Sequence, residues 1–316
     1  MRIGYFLASE EFTPAELLRQ ARAAEEAGFE ALWISDHYHP WTDSQGQSAF
    51  VWSMIGALSQ ACRLPITTAV TCPTVRIHPA VLAQAAATSA VLCESRFVLG
   101  VGSGEALNEH IFGDAWPNAE VRLEMLEEAI EVMRALWSGE FVNHRGRHYT
   151  VENARIYTMP EQPPPIYISA FGPKAVEVAG RLGDGYVSTM PDADLVRQFR
   201  EAGGGDKPAQ GGFKASFAAT EDEAVRIAHE RWPTSGVPGE LSQVLPSPRH
   251  FEQASQLVTP EMIRDKFVCG PDPDGHLQQI EAYAKAGFDE VYVANTGPHH
   301  EGFFTLYAER VLPRFR

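Results

Sequence analysis

Short apolar runs rich in β-branched and aromatic residues alternate along this chain with longer segments of helical periodicity. Ile3-Leu7 reads as a first strand. Thr13-Pro14 then opens a helix through Ala27, with Thr13 at the N-cap, Pro14 at the first helical position, Glu16 completing a capping box and Gly28 closing it. Further strands are predicted at Ala31-Ser35, Ile66-Thr71, Phe97-Val101, Ile166-Ala170, Gly185-Ser188, near Phe213-Ala218 and at Glu290-Ala294. Helices are predicted around Phe50-Ala61, Pro79-Leu92, Val121-Trp137, Pro173-Arg181, Ala193-Ala202, Glu221-Arg231, Asp274-Ala286 and near Phe303-Leu312, with a hairpin at Phe141-Tyr157. The stretch 232–270, with Pro233, Pro238, Pro246 and Pro248, fits no β/α unit and is expected to lie over one end of the fold. Eight strands alternating with helices predict an α/β fold, a (β/α)8 TIM barrel with insertions at the C-terminal face of the strands, as one domain over 1–316. An open doubly wound sheet is the other topology the count allows.

Composition narrows the function. The chain carries 41 acidic against 26 basic residues, a formal charge of −15, and no Lys/Arg cluster, so phosphate backbones and anionic membranes would repel it. Neither nucleic acid nor membrane is an expected partner. No apolar run approaches the roughly 18 residues that span a bilayer, and the N-terminus does not read as a signal peptide. Cys62, Cys72, Cys93 and Cys269 are scattered without a C-x-x-C pair. The expected compartment is the cytoplasm, with reduced thiols and no metal centre.

In a parallel barrel the loops after the strands converge on one face. Here those loops are rich in small, polar and ionisable residues: Ser9 and Glu10; Asp36, His37, His39 and Trp41; Thr71-Cys72-Pro73-Thr74; Gly102 to Asn108; Ser169 to Gly172; Ser188-Thr189. The opposite loops are ordinary turns. Asp36 and His37 are neighbours in an extended segment, so one should face the mouth and the other the wall. A histidine titrates near neutrality and suits removal of a hydroxyl proton. Trp41, beyond a strand end and after Pro40, would wall the substrate or cofactor as readily as join the core. Gly100-Val101-Gly102-Ser103-Gly104-Glu105 resembles a dinucleotide fingerprint, but Glu105 stands where the third glycine is needed. A tight loop setting a carboxylate beside a cofactor fits better than that fingerprint or plain close packing. Glu10 and Glu105 come from different loops, so burial and mutual repulsion could raise the pKa of one. His78 before Pro79 reads as structural.

With these residues in place, the chain resembles the luciferase-like flavin/deazaflavin superfamily, and within it the coenzyme F420-dependent glucose-6-phosphate dehydrogenase-like group. The most specific segments are Ser9-Glu10-Glu11-Phe12, Ser35-Asp36-His37-x-x-Pro40-Trp41 and Gly102-Ser103-Gly104-Glu105-Ala106-Leu107-Asn108-Glu109, with weaker support from Pro73-Thr74, Gly172-Pro173 and Gly183-Asp184-Gly185. The resemblance implies a TIM-like barrel holding coenzyme F420 in its mouth, a dehydrogenase acting on CH–OH groups, and a homodimer. His37 would be the base, Trp41 would line the substrate, Glu105 would protonate the reduced cofactor near N1, and Glu10 would support His37 or the substrate. Asp36, Ala69, Val70, Thr74, Ser103, Gly104, Asn108, Ser169 and Gly172 would contact the cofactor. The group's non-proline cis bond would fall at Ala69-Val70.

The departure lies after the sixth strand. Where the sugar-phosphate enzymes place a lysine, this chain has Thr189-Met190-Pro191-Asp192. With Thr189 and Asp192 as substrate contacts, a dianion would be repelled, and a non-phosphorylated sugar or other secondary alcohol fits better. Arg231, Arg249, Arg264 and Lys266 are the nearest replacement cations. Two other readings stand beside it: an FMN-dependent monooxygenase of the same superfamily, and a barrel that binds flavin or deazaflavin without turnover.

Overall fold

The computed structural model describes residues 1–316 throughout. Its strands are β1 (Arg2–Leu7), β2 (Leu32–Ile34), β3 (Ile66–Thr68), β4 (Phe97–Val101), β5 (Val142–Arg145), β6 (Thr150–Ala154), β7 (Ile166–Ser169), β8 (Gly185–Ser188), β9 (Ala209–Ser216), β10 (Val268–Cys269) and β11 (Glu290–Thr296). Eight of them pair in parallel in the order β1-β2-β3-β4-β7-β8-β9-β11, and the β11–β1 pairing closes the ring. Closure excludes the open doubly wound sheet. β5 and β6 form the predicted antiparallel hairpin beside the barrel.

The first helix, Pro14–Ala27, has the capping box of Thr13 and Glu16 and ends at Gly28 in the left-handed region, φ 95°. Pro79–Leu92 and Glu221–Arg231 also match their predicted bounds. The main apolar core lies between barrel and helices. A second cluster of Ala31, Trp33, Tyr167, Val187 and Tyr292 fills the barrel itself. Trp33 and Tyr292 stack at 4.4 Å. Their rings lie where Gly212 and Gly4 have no side chain, and any Cβ there would collide with them. The barrel is thus a packed plug, leaving only its ends for chemistry.

Three elements differ from the sequence reading. β9 begins at Ala209, four residues before the apolar signal, because Ala209-Gln210-Gly211-Gly212 is a strand whose small residues accommodate rings from neighbouring elements. β3 stops at Thr68: the peptide Ala69–Val70 is cis, and pairing resumes only as a bridge from Thr71 to Val101. The last helix starts at His300 and ends in wider and tighter turns through Arg314. Residues 232–270 form short helices at Leu241–Val244, Pro248–Ser255 and Pro260–Arg264, then return as β10 alongside the end of β9. No helix is long and apolar enough to cross a membrane.

Candidate active site

The loops after β1, β2 and β4 bring three ionisable groups together at the C-terminal end of the barrel. His37 Nε2 lies 3.3 Å from Glu10 Oε1 and 4.0 Å from Glu105 Oε2. Glu10 is buried and its other oxygen accepts a 2.6 Å hydrogen bond from the Ser35 hydroxyl. Ser35 is in turn tied to Ser9, so β1 and β2 fix the carboxylate jointly. Trp41 packs beside His37, ring centroids 5.0 Å apart, and its indole N–H has no partner in the protein. On its other side Trp41 meets Phe251 edge-on, from the helix Pro248–Ser255.

Asn108 organises His37 from below. Its side-chain oxygen accepts from the backbone N–H groups of Tyr38 and His39, at 2.9 and 3.2 Å. That turns the amide nitrogen toward His37 Nδ1 at 3.1 Å and Glu105 Oε2 at 3.3 Å. His37 Nδ1 also faces the His39 carbonyl at 3.2 Å, so the pocket accommodates a proton on either ring nitrogen. With the proton on Nδ1, Nε2 is free to accept another, and Glu10 stands beside the imidazolium that would form. His39 bonds through Nδ1 to the Leu107 carbonyl, which ties the loop after β2 to the loop after β4.

The glycine run serves close packing and placement of Glu105 together. A Cβ at Gly100 or Gly102 would strike Thr68 or Val70, and Gly104, at φ +84°, would meet Cys72 and Trp116. The chain then turns at once into a short helix, Ala106–Glu109, rather than waiting for Val121. Burial raises the Glu105 carboxyl from its usual 4.5 to about 7; His37 opposes the shift, and Glu10 adds to it by repulsion. Both protonation states are therefore populated near neutrality.

Asp36 lies at the edge of this cluster, just past the end of β2. Its side chain is fully buried, 2.9 Å from Arg76, and accepts from the Thr71 hydroxyl at 2.8 Å. Beyond that ion pair, its Oδ1 has no hydrogen-bond partner within the protein. Arg76 also bonds Glu109 at 3.3 Å through its side chain and 2.7 Å through its backbone N–H. Arg76→Met would strand two buried carboxylates and is expected to cost about 3–5 kcal/mol. Urea unfolding checks this. A loss below about 1 kcal/mol would mean the ion pairs contribute little.

The Asp192 carboxylate caps the helix Ala193–Phe199, its Oδ1 accepting from the N–H groups of Asp194 and Leu195. Thr189 is exposed just past β8. Thr74 is buried, its hydroxyl 2.9 Å from Cys72 Sγ. Ala69, Val70, Ser103, Gly104, Ser169 and Gly172 are half-buried around the strand ends, and a Cβ at Gly172 would meet nothing. These are small residues apart from Val70, and all lie at or just past the C-terminal ends of the strands. His78 caps its helix, and His300 packs against Phe12, both outside the triad.

Sequence reasoning missed Arg76, Trp232 and Lys214. Trp232 donates to Glu11 at 2.7 Å, and Glu11 also holds Thr296 and Gly297, so the start of the excursion is pinned to β1 and β11. A lone lysine inside a strand of small and apolar residues was the available signal for Lys214.

A family model described as luciferase-like monooxygenase matches residues 1–290. The chain belongs to this luciferase-like family. It is 36% identical to an F420-dependent glucose-6-phosphate dehydrogenase of Microbacterium testaceum, covering 100% of this chain and 98% of that protein. An F420-dependent hydroxymycolic acid dehydrogenase of Mycobacterium tuberculosis is 35% identical over 90% of this chain and 80% of its own. Among solved structures, an F420-dependent secondary alcohol dehydrogenase in complex with an F420–acetone adduct superposes with a TM-score of 0.92 at 30% identity, covering 100% of this chain and 99% of that one.

Proposed function

We propose that this chain is a coenzyme F420-dependent dehydrogenase that moves a hydride between a secondary alcohol or sugar-type carbinol and the deazaflavin. The observation that carries it is His37 set between Glu10 and Glu105 at the open end of the barrel, in a chain whose full-length relatives are F420-dependent dehydrogenases. Bound deazaflavin supplies the hydride-accepting carbon. Ala69, Val70, Thr74, Ser103, Gly104, Asn108, Ser169 and Gly172, gathered at the strand ends, would seat it. His37 Nε2 takes the hydroxyl proton of the substrate, and Glu10 balances the resulting charge. The free indole N–H of Trp41 donates to the substrate oxygen as negative charge grows on it. Glu105, with its carboxyl raised to about 7, holds a proton near neutrality and would be the donor to the reduced cofactor. Residues 232–270 close one side of this mouth through Phe251.

Fluorescence titrations with F420 and with FMN test the cofactor assignment. Tight F420 binding with FMN at least tenfold weaker is expected; the reverse order would favour the FMN-dependent monooxygenase reading.

The same reading includes a homodimer. Phe50, Val81 and Phe112 are 56%, 59% and 68% exposed on one face and border a groove of about 670 Å³. Such an apolar patch on one side of a barrel suits a symmetric contact. Sedimentation is expected to give a dimer at micromolar concentration, and the pair Val81→Lys with Phe112→Asp is expected to give a folded monomer. A wild-type monomer would remove the dimer from the account.

A further inference from the structure

The mouth contains a cation, Lys214, that takes no part in the proton transfers of His37, Glu10 and Glu105. β9 alternates its side chains, and the position of Gly212 is filled by the Trp33 ring inside the barrel. Lys214, two residues further, therefore points inward at the mouth. The residues two beyond the interior rings on three other barrel strands are small: Ser35 after Trp33, Ser169 after Tyr167 and Ala294 after Tyr292. Lys214 is the only one of these carrying a charge. Its stem is half-buried and its ammonium lies 4.5 Å from the centre of the Trp232 ring. No carboxylate comes within 4.0 Å of it, and no hydrogen-bond acceptor is in reach. Burial lowers its pKa, while Glu10 and Glu105 oppose that shift from across the mouth. The three N–H donors of this ammonium are thus partly stripped of water and unused.

We infer that Lys214 is a specificity-determining residue that hydrogen-bonds a second hydroxyl of the substrate, next to the carbinol that is oxidised. The inference rests on the proposed alcohol oxidation and names its substrate class, a neutral vicinal diol or sugar. Glu10 and Glu105 face the same space, so the charge of Lys214 already has its counterpart in the mouth. A dianionic group bound there would be repelled by both carboxylates. A neutral hydroxyl accepts from the ammonium without adding charge. A monofunctional alcohol would leave the ammonium desolvated and unpaired, which costs affinity.

The test compares F420-loaded wild type with Lys214→Met, which keeps the apolar stem over Trp232. Initial rates are measured with 2,3-butanediol, 2-butanol and 2-hydroxybutanoate. Wild type is expected to favour the diol over 2-butanol by at least about tenfold in kcat/KM. In the variant that ratio is expected to fall to within about threefold of unity, through loss on the diol and gain on 2-butanol, which no longer leaves an ammonium unpaired. Equal loss on both alcohols, or an unchanged ratio, would overturn the inference and leave the alcohol oxidation standing. Preference of the wild type for the hydroxy acid over the diol would also overturn it. A second readout needs no turnover. The diol is expected to change the fluorescence of the tryptophans at the mouth in wild type and not in Lys214→Met, with Lys214→Arg restoring part of the response. If wild type oxidises none of the three but this response holds, the proposed function fails while the Lys214 subsite stands; no response in either protein overturns the subsite.

Discussion

His37→Asn is expected to lower kcat by about 10²- to 10⁴-fold while F420 affinity stays within a few-fold of wild type. The imidazole is the group whose Nε2 reaches both carboxylates, and asparagine cannot take up a proton. The fold should tolerate the change, because His37 bonds only to Asn108 and the His39 carbonyl on its Nδ1 side and asparagine retains polar atoms there. Single-turnover rates with F420 and a secondary alcohol, beside a binding titration, check both halves. Unchanged turnover would take His37 out of the base role. Unchanged turnover accompanied by loss on Glu10→Gln would move that role to Glu10.

The second large effect belongs to Glu105. As the proton donor in the oxidising direction it must start protonated, so kcat is expected to fall as pH rises through about 7. Glu105→Gln is expected to lower kcat by about 10²-fold or more and to abolish that limb. Stability should move the other way. A carboxyl raised in the folded state binds its proton more tightly there than in the unfolded chain. Folding is therefore opposed as pH rises above 4.5, and the penalty is complete above about 7. The full shift would correspond to about 3 kcal/mol, and a side chain one-third exposed reduces it to roughly 1–2. The glutamine variant should match wild type near pH 5 and exceed it by that amount near pH 9, as read by urea unfolding. A variant less stable at high pH would mean the carboxylate is favourably paired there. The rate limb would then need another donor.

The legible and the hidden parts of this molecule divide by the range of the interactions that specify them. Helix ends were readable where a local cap defines them, as at Thr13, Glu16 and Gly28, because three or four residues contain the whole cause. The strand ends converged as expected because parallel β/α order forces it. Alternation separated Asp36 from His37 but could not say what Asp36 meets. Its partner Arg76 lies forty residues away on a loop without periodicity, so nothing local to Asp36 announces that ion pair. Asp192 was read for its charge, while its position before a helix made it a cap. The start of β9 was hidden because its glycines mark where the rings of Trp33 and Tyr283 pack, a fact held in other segments. Placing that strand late also hid the inward phase of Lys214.

Transfer of deuterium tests the central claim most directly. The enzyme is mixed anaerobically with oxidised F420 and a secondary alcohol deuterated at its carbinol carbon. The expected result is loss of the visible deazaflavin absorption, one deuterium on the reduced cofactor per ketone formed, and a slower rate than with the protiated alcohol. Reduction of FMN instead of F420, or F420 reduced without the alcohol's deuterium, would contradict it.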